Sequence, residues 1–270
     1  MSAQDEPARA NGSAVAHYVR SPDPGRASLW IAPGICGTDI NRAGPGSATL
    51  VRMADPRPTA LLVDWGGVLT TDLATAMSDW TRDEDFEASH FADVMRIWFG
   101  ADAATEATMN PVHSLERGEL EVPDFEVQLA AELSRLTGRP VHSAGLLRRL
   151  FDHFRHAPDM AALVRRAREA GIRTALLSNS WGNDYPMELF AGMFDEYVIS
   201  GEVGMRKPDP DIFMHTSKLV GVPPRQCVFV DDLAHNVTAA ARLGFIAVHH
   251  TSYRTTADEL SALFGIDLRQ

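Results

Sequence analysis

From residue 58 onward, short unbroken apolar runs alternate with stretches in which apolar residues recur every three or four positions. The runs predict buried strands and the spaced stretches predict helices. The first run, Ala60–Thr71 (ALLVDWGGVLTT), carries four apolar residues straight into Asp64 and closes on two glycines. Further strands are predicted at Arg173–Ser178, Tyr197–Ser200, Gln226–Asp232 and Phe245–His249. Helices are predicted over Asp159–Ala170, from Asp209-Pro210 onward, and over Asn236–Leu243 and Thr256–Phe264. Strand alternating with helix implies an α/β fold, a Rossmann-like parallel sheet with helices on both faces.

The alternation is interrupted once. Between Asp72 and about Ala157 there is almost no strand signal, and helical spacing appears in Phe86–Phe99 (Phe91, Met95, Ile97, Trp98), Phe125–Leu136 and Leu146–Phe154. Pro123-Asp124 signals a helix start, and Gly138-Arg139-Pro140 a stop. The expected organisation is a core of residues 58–72 and 158–270 holding a helical cap insert, 73–157, over the strand ends. Inside the insert, His113, Glu116, Arg117, Glu119 and Glu121 around Gly118 read as a solvated turn, and Trp98, Phe99 and Met109 as cap core.

Residues 1–57 are rich in Gly, Pro, Ala, Ser and Arg, without sustained period or the pattern of a secretory signal. They are expected to be a disordered extension in which GSAVAHYV and ASLWIAPG form at most brief local structure. Met53 is a candidate alternative translation start. Mass spectrometry of the native N-terminus tests this, and a protein beginning at Ser2 rules it out.

The net charge of −11 argues against non-specific nucleic-acid binding, which depends on Lys and Arg. It leaves room for a small phosphorylated substrate, because a bound divalent cation inverts the local field. Two cysteines, Cys36 and Cys227, far apart in sequence, make a disulfide framework unexpected and favour a reducing, cytoplasmic setting. No apolar run approaches ~18 residues, so no membrane span is expected. Monomer and homodimer are both left open.

Strand ends are where open α/β sheets gather ligands. Asp64 there is either a turn cap or a nucleophile and cation ligand. Ser178 and Asn179 are either turn residues or a phosphate cradle. Lys207, one of two lysines in the chain, is either solvated or an anion partner; the other, Lys218, is assigned to a helix surface. Asp231 and Asp232 repel one another unless a cation compensates, and oxygen-only ligands suit Mg²⁺.

Taken together, Asp64 in DWGGV, Ser178 in LLSNS, Lys207 in GMRKPDP and Asp231-Asp232 in VFVDD resemble the haloacid dehalogenase superfamily over about Thr59 to Leu268. GEVGMRKPDPDIF, DDLAHNVTAAARLG and SLERGELEV resemble the phosphatase-like N-terminal domain of soluble epoxide hydrolases. There is a similar likeness to the sugar-1-phosphate phosphatases. The resemblance implies an Mg²⁺-dependent phosphohydrolase with Asp64 as nucleophile. It implies Mg²⁺ held by Asp64, the Gly66 carbonyl and Asp231, with Asp232 as ligand or outer partner. Ser178 and Lys207 would hold the phosphoryl oxygens, helped by backbone N–H groups around Gly67 and Asn179. One departure stands out: the usual second Asp, two residues after the nucleophile, is Gly66 here. Asp232, His235 or Glu116 would then have to supply the proton, or the leaving group would have to be good. Phosphonate hydrolysis would need a cap lysine, which the insert lacks. Dehalogenation, which needs no metal, and a lapsed domain that only binds a ligand or partner are the remaining alternatives.

Overall fold

In the computed structural model, residues 57–99, 110–182 and 185–269 are described. Cys36, Met53, Met109 and nearly all of the N-terminal extension lie outside them.

Five parallel strands form one sheet in the order β3-β2-β1-β4-β5: β1 Ala60–Val63, β2 Arg173–Ser178, β3 Glu196–Ile199, β4 Cys227–Asp231 and β5 Ile246–His249. β1 is central because both its faces are apolar, and all four residues are fully buried. The two-residue period splits them between two cores. Leu61 and Val63 pack with Leu163 of α6 (Pro158–Glu169) and Leu260 of α10 (Tyr253–Phe264). Ala60 and Leu62 pack with Phe213 of α8 (Pro210–Val220) and Ala240 of α9 (Ala234–Arg242) on the other face. Each such side chain taken out of water contributes roughly 1.5–3 kcal/mol if it is Val, Leu or Phe.

Among the described residues between β1 and α6 are the helices α1 Leu73–Asp83, α2 Ala88–Phe99, α3 Pro111–Glu116, α4 Val122–Thr137 and α5 Leu146–Phe151. They enclose a separate apolar cluster built on Trp80, Phe125, Leu129 and Leu133. The chain enters and leaves this layer side by side. Thr70 and His156 form an antiparallel bridge, Thr71 N–H donates to Arg155 O at 2.8 Å, and Ala157 N–H donates to Leu69 O at 2.8 Å.

Several element ends differ from the sequence expectation. The helix expected from Phe86 begins at Ala88, after Asp85 takes a left-handed φ of 57°. Its inward stripe uses Val94 rather than Ile97, which is 47% exposed, because Phe91, Val94, Met95 and Trp98 follow the i, i+3, i+4, i+7 spacing. The helix expected to reach Phe154 stops at Phe151. The strand expected to include Ser200 ends at Ile199; Ser200 opens a helical turn, α7 (Ser200–Val203), and its Oγ accepts the Ser180 N–H at 2.8 Å.

Candidate active site

Asp64 directly follows β1, Ser178 ends β2 and Asp231 ends β4, so parallel pairing delivers all three side chains to one edge of the sheet. Lys207 reaches them from the loop before α8. Its Nζ lies 2.9 Å from Asp64 Oδ1 and 2.7 Å from Asp231 Oδ2, with the side chain 1% exposed. The ammonium also sits 5.6 Å from the Phe229 ring centroid. Burial alone would lower the Lys207 pKa, but the Asp231 and Asp64 carboxylates outweigh it and hold the ammonium charged. The lysine is therefore an internal cation.

Two asparagines set this group. Asn179 clamps the Lys207 backbone, its Nδ2 donating to Lys207 O at 2.9 Å and its Oδ1 accepting Lys207 N–H at 2.8 Å. Asn236, on α9, donates to both Asp231 oxygens at 3.2 and 3.1 Å, and Leu233 N–H donates to Asp231 Oδ1 at 2.8 Å. Tyr185 donates from its hydroxyl to Ser178 Oγ at 2.9 Å.

Among the described residues, Asp64, Asp231 and Asp232 offer carboxylate oxygens that all lie within 4.8 Å of one another. Burial, followed by repulsion from Asp231, pushes Asp64 up to about 8 against the pull of Lys207. Burial and Asp231 likewise push Asp232 up to about 6. Three hard oxygen donors bearing more negative charge than one lysine balances fit a divalent cation such as Mg²⁺.

Gly67 is fixed by geometry. Its φ is +69°, and a Cβ there would lie 2.1 Å from Asp232 Oδ2. Its N–H is engaged by Thr70 Oγ1 at 3.1 Å, so in this state it is not a free donor of the kind the sequence suggested. Gly67→Ala is expected to cost about 2 kcal/mol or more from the left-handed backbone and the displaced carboxylate, lowering Tm by roughly 4–8 °C. A melt that matched the parent would show that Asp232 moves aside freely. Gly66 is different, since a Cβ added there meets nothing within 4 Å.

The cluster around Gly118 is not simply a solvated turn. Arg117 and Glu119 do pair at the surface. Glu116, however, is buried and pairs with the half-buried Arg206 of the core, while Trp181 Nε1 donates to its other oxygen at 3.2 Å. This clasp joins α3 to the loop that carries Lys207, and it leaves Glu116 committed. His113 beside it is lowered to about 4 by burial and by the charges of Arg206 and Arg117. His235 is exposed at the rim of the same cavity as Asp64, Ser178, Asn179, Lys207 and Asp232.

The structure thus brings together Asp64, Ser178, Asn179, Lys207, Asp231 and Asp232. Sequence reasoning missed Tyr185, Arg206 and the hold of Asn236 on the Asp231 carboxylate. Arg206 adjoins Lys207, and Asn236 lies one helical turn beyond the acidic pair, so both had a positional signal. Tyr185 had none.

The family described as haloacid dehalogenase-like hydrolase matches residues 58–244. The sesquiterpene phosphatase astK of Aspergillus oryzae is 28% identical over 210 residues, covering 76% of this chain and 96% of its own. The glyceraldehyde 3-phosphate phosphatase of Methanopyrus kandleri is 26% identical over 175 residues, covering 54% of this chain and 75% of its own. Among solved structures, a HAD family enzyme of Bacteroides thetaiotaomicron in complex with magnesium and inorganic phosphate matches with a TM-score of 0.51 at 20% identity. That match covers 72% of this chain and 94% of the other, and at this identity the likeness is one of fold.

Proposed function

The chain belongs to the haloacid dehalogenase-like hydrolases, and from that premise we propose that it is an Mg²⁺-dependent phosphohydrolase acting on a small phosphorylated metabolite. The observation that carries this reading is the meeting of Asp64, Asp231 and Asp232 around the Lys207 ammonium. Relatives named as phosphatases support it.

Asp64 is the nucleophile. Its Oδ takes the phosphoryl group as an aspartyl-phosphate, the ester oxygen leaves with a proton, and water then releases orthophosphate and restores the carboxylate. Lys207 and Ser178 hold the phosphoryl oxygens, while Asn179 keeps the Lys207 backbone where the ammonium can reach both carboxylates. Asp64, the Gly66 carbonyl and Asp231 would hold Mg²⁺, with Asp232 beside them. The ion would neutralise charge on the phosphate so that a carboxylate can approach it.

The test is release of inorganic phosphate from p-nitrophenyl phosphate with Mg²⁺, lost on adding EDTA. Turnover that continues in EDTA with release of halide from a haloacid would favour a dehalogenase instead. Binding of phosphate analogues without turnover would favour a lapsed domain.

Gly66→Asp probes the missing proton donor. The open space at this position admits the side chain, and general acid–base catalysis is commonly worth ~10²–10⁴-fold. Turnover of an alkyl phosphate is expected to rise at least about tenfold. An unchanged rate would mean that Asp232 or His235 already protonates the leaving group.

A further inference from the structure

Above the carboxylates lies a cavity of about 610 Å³ between the helical layer and the strand ends. Its floor is polar and charged, and its walls are mostly apolar. Trp65 stacks on Phe154 at 5.6 Å between ring centroids and meets Tyr185 edge-on at 5.2 Å and Phe151 at 6.1 Å. Met77 of α1 and Met95 of α2 also line it, with side chains that adapt to irregular shapes.

Most polar atoms of the walls are already engaged, the Trp65 indole N–H being an exception without a partner, and His113 and Arg206 also border the space. Glu116 is taken by Arg206 and Trp181, the Tyr185 hydroxyl by Ser178, and the Asn179 amide by the Lys207 backbone. A ligand therefore meets a charged floor and walls made mostly of hydrocarbon. A sugar phosphate entering here would set several hydroxyls against carbon, each unpaired hydroxyl lowering affinity by roughly tenfold. A hydrocarbon chain would gain roughly fourfold per buried methylene, about 0.8 kcal/mol. At ~30 Å³ per heavy atom, taken from the volume of a liquid water, the cavity holds about twenty atoms. Five of them would be the phosphate group.

We infer that the substrates are phosphate monoesters of bulky apolar alcohols of about ten to fifteen carbons, the hydrocarbon lying against Trp65, Phe151, Phe154, Met77 and Met95. This rests on the phosphohydrolase reading and specifies its substrate. The P–O ester bond breaks as Asp64 Oδ bonds to phosphorus. The alkoxide departs as the alcohol by gaining a proton, and water hydrolyses the aspartyl-phosphate to orthophosphate. The net change is monoester plus water to alcohol plus orthophosphate.

The experiment measures phosphate release by the full chain with Mg²⁺ from butyl, octyl and dodecyl phosphate below their micelle concentrations. Glucose 1-phosphate and p-nitrophenyl phosphate are the references. The expected kcat/KM rises at least about 100-fold from butyl to dodecyl and passes that of glucose 1-phosphate. Met95→Gln, in a half-buried wall position, is expected to narrow the dodecyl-to-butyl ratio about tenfold. Phosphate release that is flat with chain length, or that favours glucose 1-phosphate, overturns this inference and leaves the phosphohydrolase reading standing. No release from any ester overturns that reading. In that event, quenching of tryptophan fluorescence by dodecylphosphonate against methylphosphonate decides the cavity's preference. Tighter dodecyl binding supports it, and equal binding overturns it.

Discussion

Asp64→Asn is expected to reduce phosphate release by on the order of 10⁴-fold or more, because the amide is close in shape but cannot attack phosphorus. The same substitution is expected to stabilise the metal-free protein at alkaline pH. Burial raises the Asp64 pKa from 3.8 to about 8, so between these values the folded state binds more protons than the unfolded one. Stability then falls as pH rises through that window, and the penalty is complete above about pH 8. The amide has no ionisation to suppress. Thermal melts in EDTA should therefore show parent and variant alike near pH 4, and the variant melting higher at pH 8. Equal melting temperatures across the window would mean that Lys207 fully compensates the charge. A gain of stability on losing the reactive group is the usual trade of a site held in an unfavourable state.

Lys207→Met also lowers activity but acts in the opposite direction on stability. The ammonium lies 2.9 and 2.7 Å from two carboxylates that are otherwise buried, and methionine of similar length leaves them facing one another. Removing one partner from a buried ionic cluster commonly costs about 3–5 kcal/mol. Loss of one donor to the transferring phosphoryl group commonly costs ~10²–10³ in rate. If Asp64, Asp231 and Asp232 bind Mg²⁺, the ion supplies the missing positive charge. The drop in Tm should then be smaller with Mg²⁺ than in EDTA. A drop independent of Mg²⁺ would mean that the acids hold no metal.

The architecture was legible because the core strands carry unbroken apolar runs that charged or small residues follow at once. Arg173–Ser178 matches β2 end to end, and Asp64, Ser178 and Asp231 all lie at strand ends, as the pattern required. What was not legible depends on contacts between distant elements. Glu116 and Arg206 are ninety residues apart, and nothing in SLERGELEV announces a buried partner. Tyr185 belongs to a stretch with no period at all, yet its hydroxyl meets Ser178. Trp65 stands between Asp64 and the glycines in the most heavily read motif of the chain. Only the three-dimensional arrangement reveals that its ring faces Phe154 and Tyr185. Periodicity reports how deeply a residue is buried within its own element, and it is silent about which residue of another element lies opposite.

The paired crossing at Thr70 and His156 has a consequence for how such a protein can diversify. Because the backbone departs and returns through neighbouring hydrogen-bonded positions, the covalent connection of everything between them to the sheet is a stalk no wider than a hairpin. Closing that stalk with a tight turn, or grafting a different helical lobe onto it, would leave every strand pairing intact. The carboxylates and Lys207 stay with the sheet edge, while the part of the chamber that the lobe lines can be exchanged, leaving in place the wall residues the core supplies, among them Trp65, Trp181 and Tyr185.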